Sequence, residues 1–159
     1  MPVVLARVDD RLVHGQVVEG WVPFVHADSI YVVNGRICED ESRCRFMRMV
    51  VPEHLSFRVL APADLKGVLD GDDQRKVLLL FDSLTDVLAA VQAGARLMTI
   101  NVGNLHHVRG GVEVSPSVFL NRKDIGVIRE LFMKGIRIEA RDVPQGRYYD
   151  LYHLMEEDI

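Results

Sequence analysis

The run Val77-Leu78-Leu79-Leu80-Phe81 constrains the fold of this chain more than any other stretch. It is strand-sized and does not alternate, so both faces of that strand have to be covered. Strand-type runs recur near residues 3–8, 29–33, 56–60, 76–81, 97–102 and 136–141, with a shorter one at 117–120. Helix-type segments lie between them. This alternation implies right-handed crossovers and an α/β fold. The expected architecture is a single doubly wound, mainly parallel sheet of about six or seven strands, with helices on both faces. The tail 148–158 carries Tyr149, Leu151, Tyr152, Leu154 and Met155 and adds a C-terminal helix. No linker or internal repeat interrupts the 159 residues, so one domain over 1–159 is expected.

The helical segments carry local signals. Ser83 and Asp86 open segment 83–93 in a capping-box arrangement, and Leu84, Val87, Leu88 and Val91 form one buried stripe. Asn121 caps 122–134, and Gly135 can close it in the left-handed conformation. Segment 39–50 is acidic first (Glu39, Asp40, Glu41) and basic later (Arg43, Arg45, Arg48), as the helix dipole favours. Pro62 starts a short helix over 63–69. Gly71 to Gln74 and Gly103 to Gly111 read as loops.

The net charge of −4 argues against a nucleic-acid partner bound through bulk charge. Cys38 and Cys44 have neither CxxC nor zinc-site spacing and read as reduced thiols of a cytoplasmic protein. No apolar run approaches the ~20 residues that span a bilayer, and no signal peptide is visible at the N-terminus. Any membrane role would come through a partner.

In a doubly wound sheet, ligands sit beyond the carboxyl ends of the strands. The richest such place is Asp9-Asp10-Arg11-Leu12-Val13-His14-Gly15-Gln16, directly after the first strand. A helix over Gln16 to Val22 would face Val17, Val18, Trp21 and Val22 inward and end at Pro23. His14 then stands at a helix start, where N–H groups and the dipole favour an anion such as phosphate. Histidine can also act as a nucleophile. Gly15 allows close approach of a bound group. Arg11 offers a planar fork to phosphoryl oxygens, and Asp9 or Asp10 can orient Arg11 or accept a hydrogen bond from the imidazole. On spacing alone, Asp9-Asp10-Arg11 reads equally as a salt bridge at a strand end.

The stretch Arg7-Val8-Asp9-Asp10-Arg11-Leu12-Val13-His14-Gly15-Gln16-Val17, followed by Trp21, closely resembles the signature of the IIB components of the mannose/fructose/sorbose family of the bacterial phosphoenolpyruvate-dependent sugar phosphotransferase system. Leu78 to Asp82, Thr99-Ile100-Asn101-Val102-Gly103 and Gly135-Ile136 fit the same register. The resemblance implies a cytoplasmic phosphoryl carrier that reaches the inner face of the membrane through partner subunits. Its histidine, here His14, takes a phosphoryl group from a phosphohistidine of a IIA domain. It passes that group to a sugar at membrane IIC and IID subunits, as a protein-Nπ-phosphohistidine–sugar phosphotransferase. Asp9, Asp10, Arg11, Gly15 and Gln16 support the site, with Arg11 as the phosphate contact. No metal, nucleotide or other cofactor is needed, because the partner supplies the phosphate. The sequence leaves the oligomeric state open, a homodimer included.

His106, His107 and Arg109 follow the fifth strand and can edge the same cleft, as phosphate or partner contacts or as a solvated loop. An adjacent histidine pair without a carboxylate does not make a metal site. Two other readings stay open at this stage. One is a regulatory module that keeps the IIB fold without moving sugar. The other is a receiver domain using Asp9, Asp10 and Asp82, although no lysine follows strand 97–102 as a receiver requires.

Overall fold

The computed structural model describes residues 1–106 and 111–157. The chain runs β1 (Val3–Asp9), a π-helical segment Gln16–Trp21 continuing into α1 (Val22–Val25), β2 (Ser29–Val33), α2 (Gly35–Cys38), α3 (Glu41–Val50) and β3 (Ser56–Leu60). A 3-10 turn Pro62–Asp64 leads into α4 (Leu65–Leu69), β4 (Val77–Phe81), α5 (Leu84–Gln92) and β5 (Thr99–His106). Then come β6 (Val112–Ser115), β7 (Val118–Leu120), α6 (Arg122–Met133), β8 (Arg137–Ala140), β9 (Tyr149–Asp150) and α7 (Leu151–Glu157).

The main sheet path is β3-β2-β4-β1-β5-β7-β6. Every pairing is parallel except β6 with β7 and β8 with β9. The eight-residue β5 pairs with β1 on one side and is shared by two strands on the other: Thr99–Val102 pairs with β8, and Leu105–His106 pairs with β7. The expected α/β sheet with a C-terminal helix is therefore present, with nine strands among the described residues where about six or seven were expected.

Both sheet faces carry apolar cores, which is why β2 and β4 are buried at every position. One face buries Leu84, Val87 and Leu88 of α5, Val127, Ile128 and Leu131 of α6, and Leu151 and Met155 of α7. The other buries Val17, Trp21, Val22 and Ile37 against Ile30, Val32, Leu78 and Leu80. Phe132 stacks on Tyr152 at 3.6 Å and pins the last helix to α6. The helix after β1 and the helix after β4 thus lie on opposite faces, which opens a crevice at the carboxyl end of β1.

Several local expectations are corrected. The helix expected over 39–50 is present as Glu41–Val50, capped by Asp40 through the Arg43 N–H, and a separate short helix that was not expected, Gly35–Cys38, precedes it under an Asn34 cap. Pro23 does not end the first helix. It sits in the first turn of α1, where its missing N–H has no partner to lose, and His26 at φ 55° closes that helix instead. The stretch Gly103–His106 continues β5 rather than starting a loop. Val112–Ser115 and Tyr149–Asp150 are additional strands, and α7 starts only at Leu151. The capping box at Asn121–Asp124 is fully formed, and Gly135 has φ 84°.

Candidate functional site

The site grows from a parallel pairing of β1 with β5 that sets Arg7 beside Asn101 and Asp9 beside Asn104. Arg7 is fully buried. Its Nη1 donates to Asn101 Oδ1 at 2.6 Å and to the Arg141 carbonyl at 3.0 Å. Its Nη2 donates to Asp9 Oδ2 at 3.1 Å and to the Asp142 carbonyl at 2.9 Å. The guanidinium lies 5.1 Å from the Trp21 ring centre, while Trp21 Nε1 donates to the same Asp142 carbonyl at 3.0 Å. Gly103 closes the other side, since a Cβ there would collide with the guanidinium. Burial lowers the Arg7 pKa, and the charge of Asp9 opposes that shift.

Asp9, buried at the end of β1, is the hub. Its Oδ2 accepts from His14 Nε2 at 2.7 Å, from Arg7 and from Asn104 Nδ2 at 3.1 Å. Its Oδ1 accepts from the Arg11 backbone N–H at 3.0 Å and from Arg11 Nε at 3.3 Å. Burial works against the charged carboxylate. The hydrogen bond from His14 and the charge of Arg7 outweigh it and hold Asp9 at about 2. A carboxylate of that kind only accepts hydrogen bonds. His14 Nε2 must therefore carry the proton, and in the neutral ring Nδ1 keeps its lone pair.

The neighbouring residues separate by function in the fold. Arg11, with 42% of its side chain exposed, also donates from Nη2 to Gln16 Oε1 at 2.9 Å. Asp10 points elsewhere, accepting from the His106 backbone N–H at 2.8 Å and from His106 Nδ1 at 3.3 Å. Leu12 holds φ 57°, an uncommon conformation for a residue with a Cβ. Its buried side chain and the bond from its N–H to the Asp9 carbonyl, 2.9 Å, fix it there. The His14 carbonyl accepts from the N–H groups of Val17 and Val18, both at 3.0 Å, so His14 stands at the helix start as expected. A Cβ on Gly15 would meet nothing within 4 Å, so the space before it is open.

Sequence reasoning thus placed Asp9, Asp10, Arg11, His14, Gly15, Gln16 and His106 in one neighbourhood, and the structure brings them together. His107 and Arg109 lie outside the described residues. Trp21 is 2% exposed, a core residue that cradles Arg7. Sequence reasoning assigned no role to Arg7, Asn101, Asn104 or the 141–142 carbonyls. The signals for Arg7 were a charge inside an apolar strand and its place at the start of the signature stretch. Among the described residues no group of three histidine, cysteine, aspartate or glutamate side chains is placed to hold a metal ion.

A doubly wound α/β domain with a histidine held by a buried carboxylate at its switch point belongs to the class of proteins that bind or move an anionic group there. Comparison with known proteins narrows the class. The family model "PTS system sorbose subfamily IIB component" matches residues 3–158. The chain is similar to the N-acetylgalactosamine-specific phosphotransferase enzyme IIB component 2 of Escherichia coli (strain K12), with 32% identity over 96% of this chain and 98% of that protein. The PTS system mannose-specific EIIAB component of the same organism is 32% identical over 90% of this chain and 45% of its own length. Among solved structures, the IIBSor domain of the sorbose permease from Klebsiella pneumoniae superposes with a TM-score of 0.91, at 28% identity, covering 100% of this chain and 99% of that chain. The chain belongs to the sorbose-subfamily IIB components, within the mannose family of the sugar phosphotransferase system. It takes part in phosphoryl transfer as a transferase component of sugar transport, which sets the receiver reading aside.

Proposed function

We propose that His14 is the phosphoryl carrier of this IIB component, in a single domain over 1–159. It accepts the group from a phosphohistidine on a IIA domain and delivers it to a sugar at membrane IIC and IID subunits. The observation that carries this reading is the 2.7 Å bond from His14 Nε2 to Asp9, which presents Nδ1 as the nucleophile. As the Nδ1 lone pair forms the new P–N bond, the donor's P–N bond breaks and its electron pair returns to the donor ring. The His14 ring gains positive charge in this step, because Nε2 keeps its proton. Asp9, already ionised, lies directly against that charge and stabilises it. When the sugar hydroxyl attacks phosphorus, the P–N electron pair returns to Nδ1 and the hydroxyl proton is released. Exchange between two histidines is nearly balanced, so the group can move either way.

Arg11 supplies a guanidinium beside the phosphoryl oxygens, held in place by Asp9 and Gln16. The open space before Gly15 admits the phosphoryl group or the partner's loop. Asp10 ties the loop to His106 at the end of β5. Phosphoryl transfer depends on positioning and charge more than on further covalent machinery. The similarity to a mannose-specific EIIAB component supports a IIA donor. No helix among the described residues is long and apolar enough to cross a membrane, in keeping with a cytoplasmic carrier that meets the membrane through its partners.

The test is phosphate incorporation from phosphoenolpyruvate through enzyme I, the phosphocarrier protein and a cognate IIA. Wild type should take up acid-labile, alkali-stable phosphate, and His14→Ala should take up none. Equal uptake by the two would remove His14 from the mechanism.

A further inference from the structure

Helix α3 turns its apolar residues the wrong way for a core helix. Its inward face packs only Cys44 and Met47, both partly buried, on the apolar cluster that also holds Leu12, Val17 and Trp21. None of its ten residues is fully buried. Its outer face exposes Phe46 by 70%, Met49 by 81% and Val50 by 52%. At ~100° per residue, the order around the helix is Arg48, Glu41, Arg45, Met49, Phe46, Val50, Arg43, with Glu41 a turn or more below the two arginines at the N-terminal end. An apolar sector, with small Ser42 among it, is thus flanked by guanidinium groups on both sides. Arg43, Arg45 and Arg48 are all exposed. Among the described residues none of the three is in an ion pair.

We propose that this face of α3 rests on an anionic lipid surface. An apolar stripe bordered by arginines is the pattern of a helix lying in the membrane interface. The arginine stems can cover apolar surface while the charged heads reach lipid phosphates. The complementarity is local, since the chain as a whole carries −4 and the three arginines are gathered on one helix. The carboxylates of this segment, Glu39, Asp40 and Glu41, lie at its N-terminal end, where Asp40 is engaged as the cap. Area decides against a second copy of the chain. A ten-residue helix is ~15 Å long and ~10 Å wide, a footprint on the order of 150 Å². A stable protein interface takes roughly 800 Å² from each partner. A lipid surface accepts so small a contact and adds charge attraction, giving weak and reversible binding. Through their shared apolar cluster, α3 is mechanically continuous with the residues flanking the His14 loop. The inference goes beyond the carrier reading and needs no phosphohistidine, so either one can fail alone.

Sedimentation of the full chain with vesicles tests it, comparing pure phosphatidylcholine with phosphatidylcholine containing phosphatidylglycerol. Binding should require phosphatidylglycerol and weaken as salt rises. Each arginine is worth about fivefold, so Arg43→Gln, Arg45→Gln and Arg48→Gln together should weaken binding on the order of 100-fold. Replacing exposed Arg122, Arg129 and Arg137 by Gln changes the net charge equally and should leave most of the binding intact. Phe46→Ser with Met49→Ser should also weaken binding, while phosphate uptake on His14 in solution stays at the wild-type level. Equal binding to both vesicle types, or wild-type binding by the α3 arginine variant, would overturn the proposal. So would self-association that Phe46→Ser with Met49→Ser abolishes while vesicles bind nothing, which would assign the face to a second copy.

Discussion

Gly103 lies flat against the Arg7 guanidinium, and that contact leaves no room for a Cβ on β5. Arg7 cannot yield easily, because four hydrogen bonds and the Trp21 ring hold it. Gly103→Ala should therefore lower stability by ~1–3 kcal/mol, the range for forcing extra volume into a packed interior. It should also slow phosphorylation, since Arg7 positions Asp9. Urea unfolding beside a phosphate-uptake time course measures both, and a variant unchanged in the two would show that the contact is slack.

Replacing Arg7 should be more severe. Arg7→Met leaves the buried Asp9 charge with only the half-exposed Arg11 guanidinium beside it, a change that costs ~3 kcal/mol, the low end for breaking a buried pair. Arg7→Lys should recover only part of this, because an ammonium cannot reach Asn101 and Asp9 with one planar fork. Unfolding midpoints of the two variants should rank wild type above Lys above Met.

Asp9 gives stability a specific acid dependence. Its folded value of about 2 lies below the ordinary unfolded value near 3.9, so the folded state binds fewer protons between them. The stabilisation is complete above pH ~4 and is lost as pH falls through about 2. It amounts to about 2 kcal/mol at neutral pH. Asp9→Asn should flatten this limb of the stability curve, and should also reduce phosphate uptake by losing the charge beside His14.

Asp86 should behave in the opposite sense. Burial, with Asp82 beside it, raises its carboxyl to about 6. The folded state then binds more protons than the unfolded one between ~4 and ~6, so stability falls as pH rises through about 6. Asp86→Asn should remove that fall and stabilise the protein at pH 7 by about 1 kcal/mol, allowing for partial solvation. Its N–H to Ser83 Oγ survives the change. Thermal unfolding of both proteins across pH 4–8 checks it.

The unequal legibility of the chain has physical causes. The strand-sized apolar runs and the Ser83 and Asn121 caps are local signals, and the elements they mark were readable. The choice between Asp9 and Asp10 as the histidine's partner was not. It depends on which way each side chain leaves β1, and the sheet turns Asp9 toward Asn104 and Asp10 toward His106. The environment of Arg7 was equally hidden, because its partners Asn101, Arg141 and Asp142 arrive from β5 and the end of β8, far along the chain. Tyr149–Asp150 escaped notice because a two-residue strand has no periodicity to read.

The central claim is that Asp9 holds the Nε2 proton of His14 while Nδ1 takes the phosphoryl group. Nitrogen NMR of the protein with 15N-labelled histidine, before and after phosphorylation by the IIA donor, tests it directly. Of the six histidines, His14 alone should change, with phosphorus coupled to Nδ1 and a proton retained on Nε2. Phosphorus on Nε2, or on another histidine, would contradict the account.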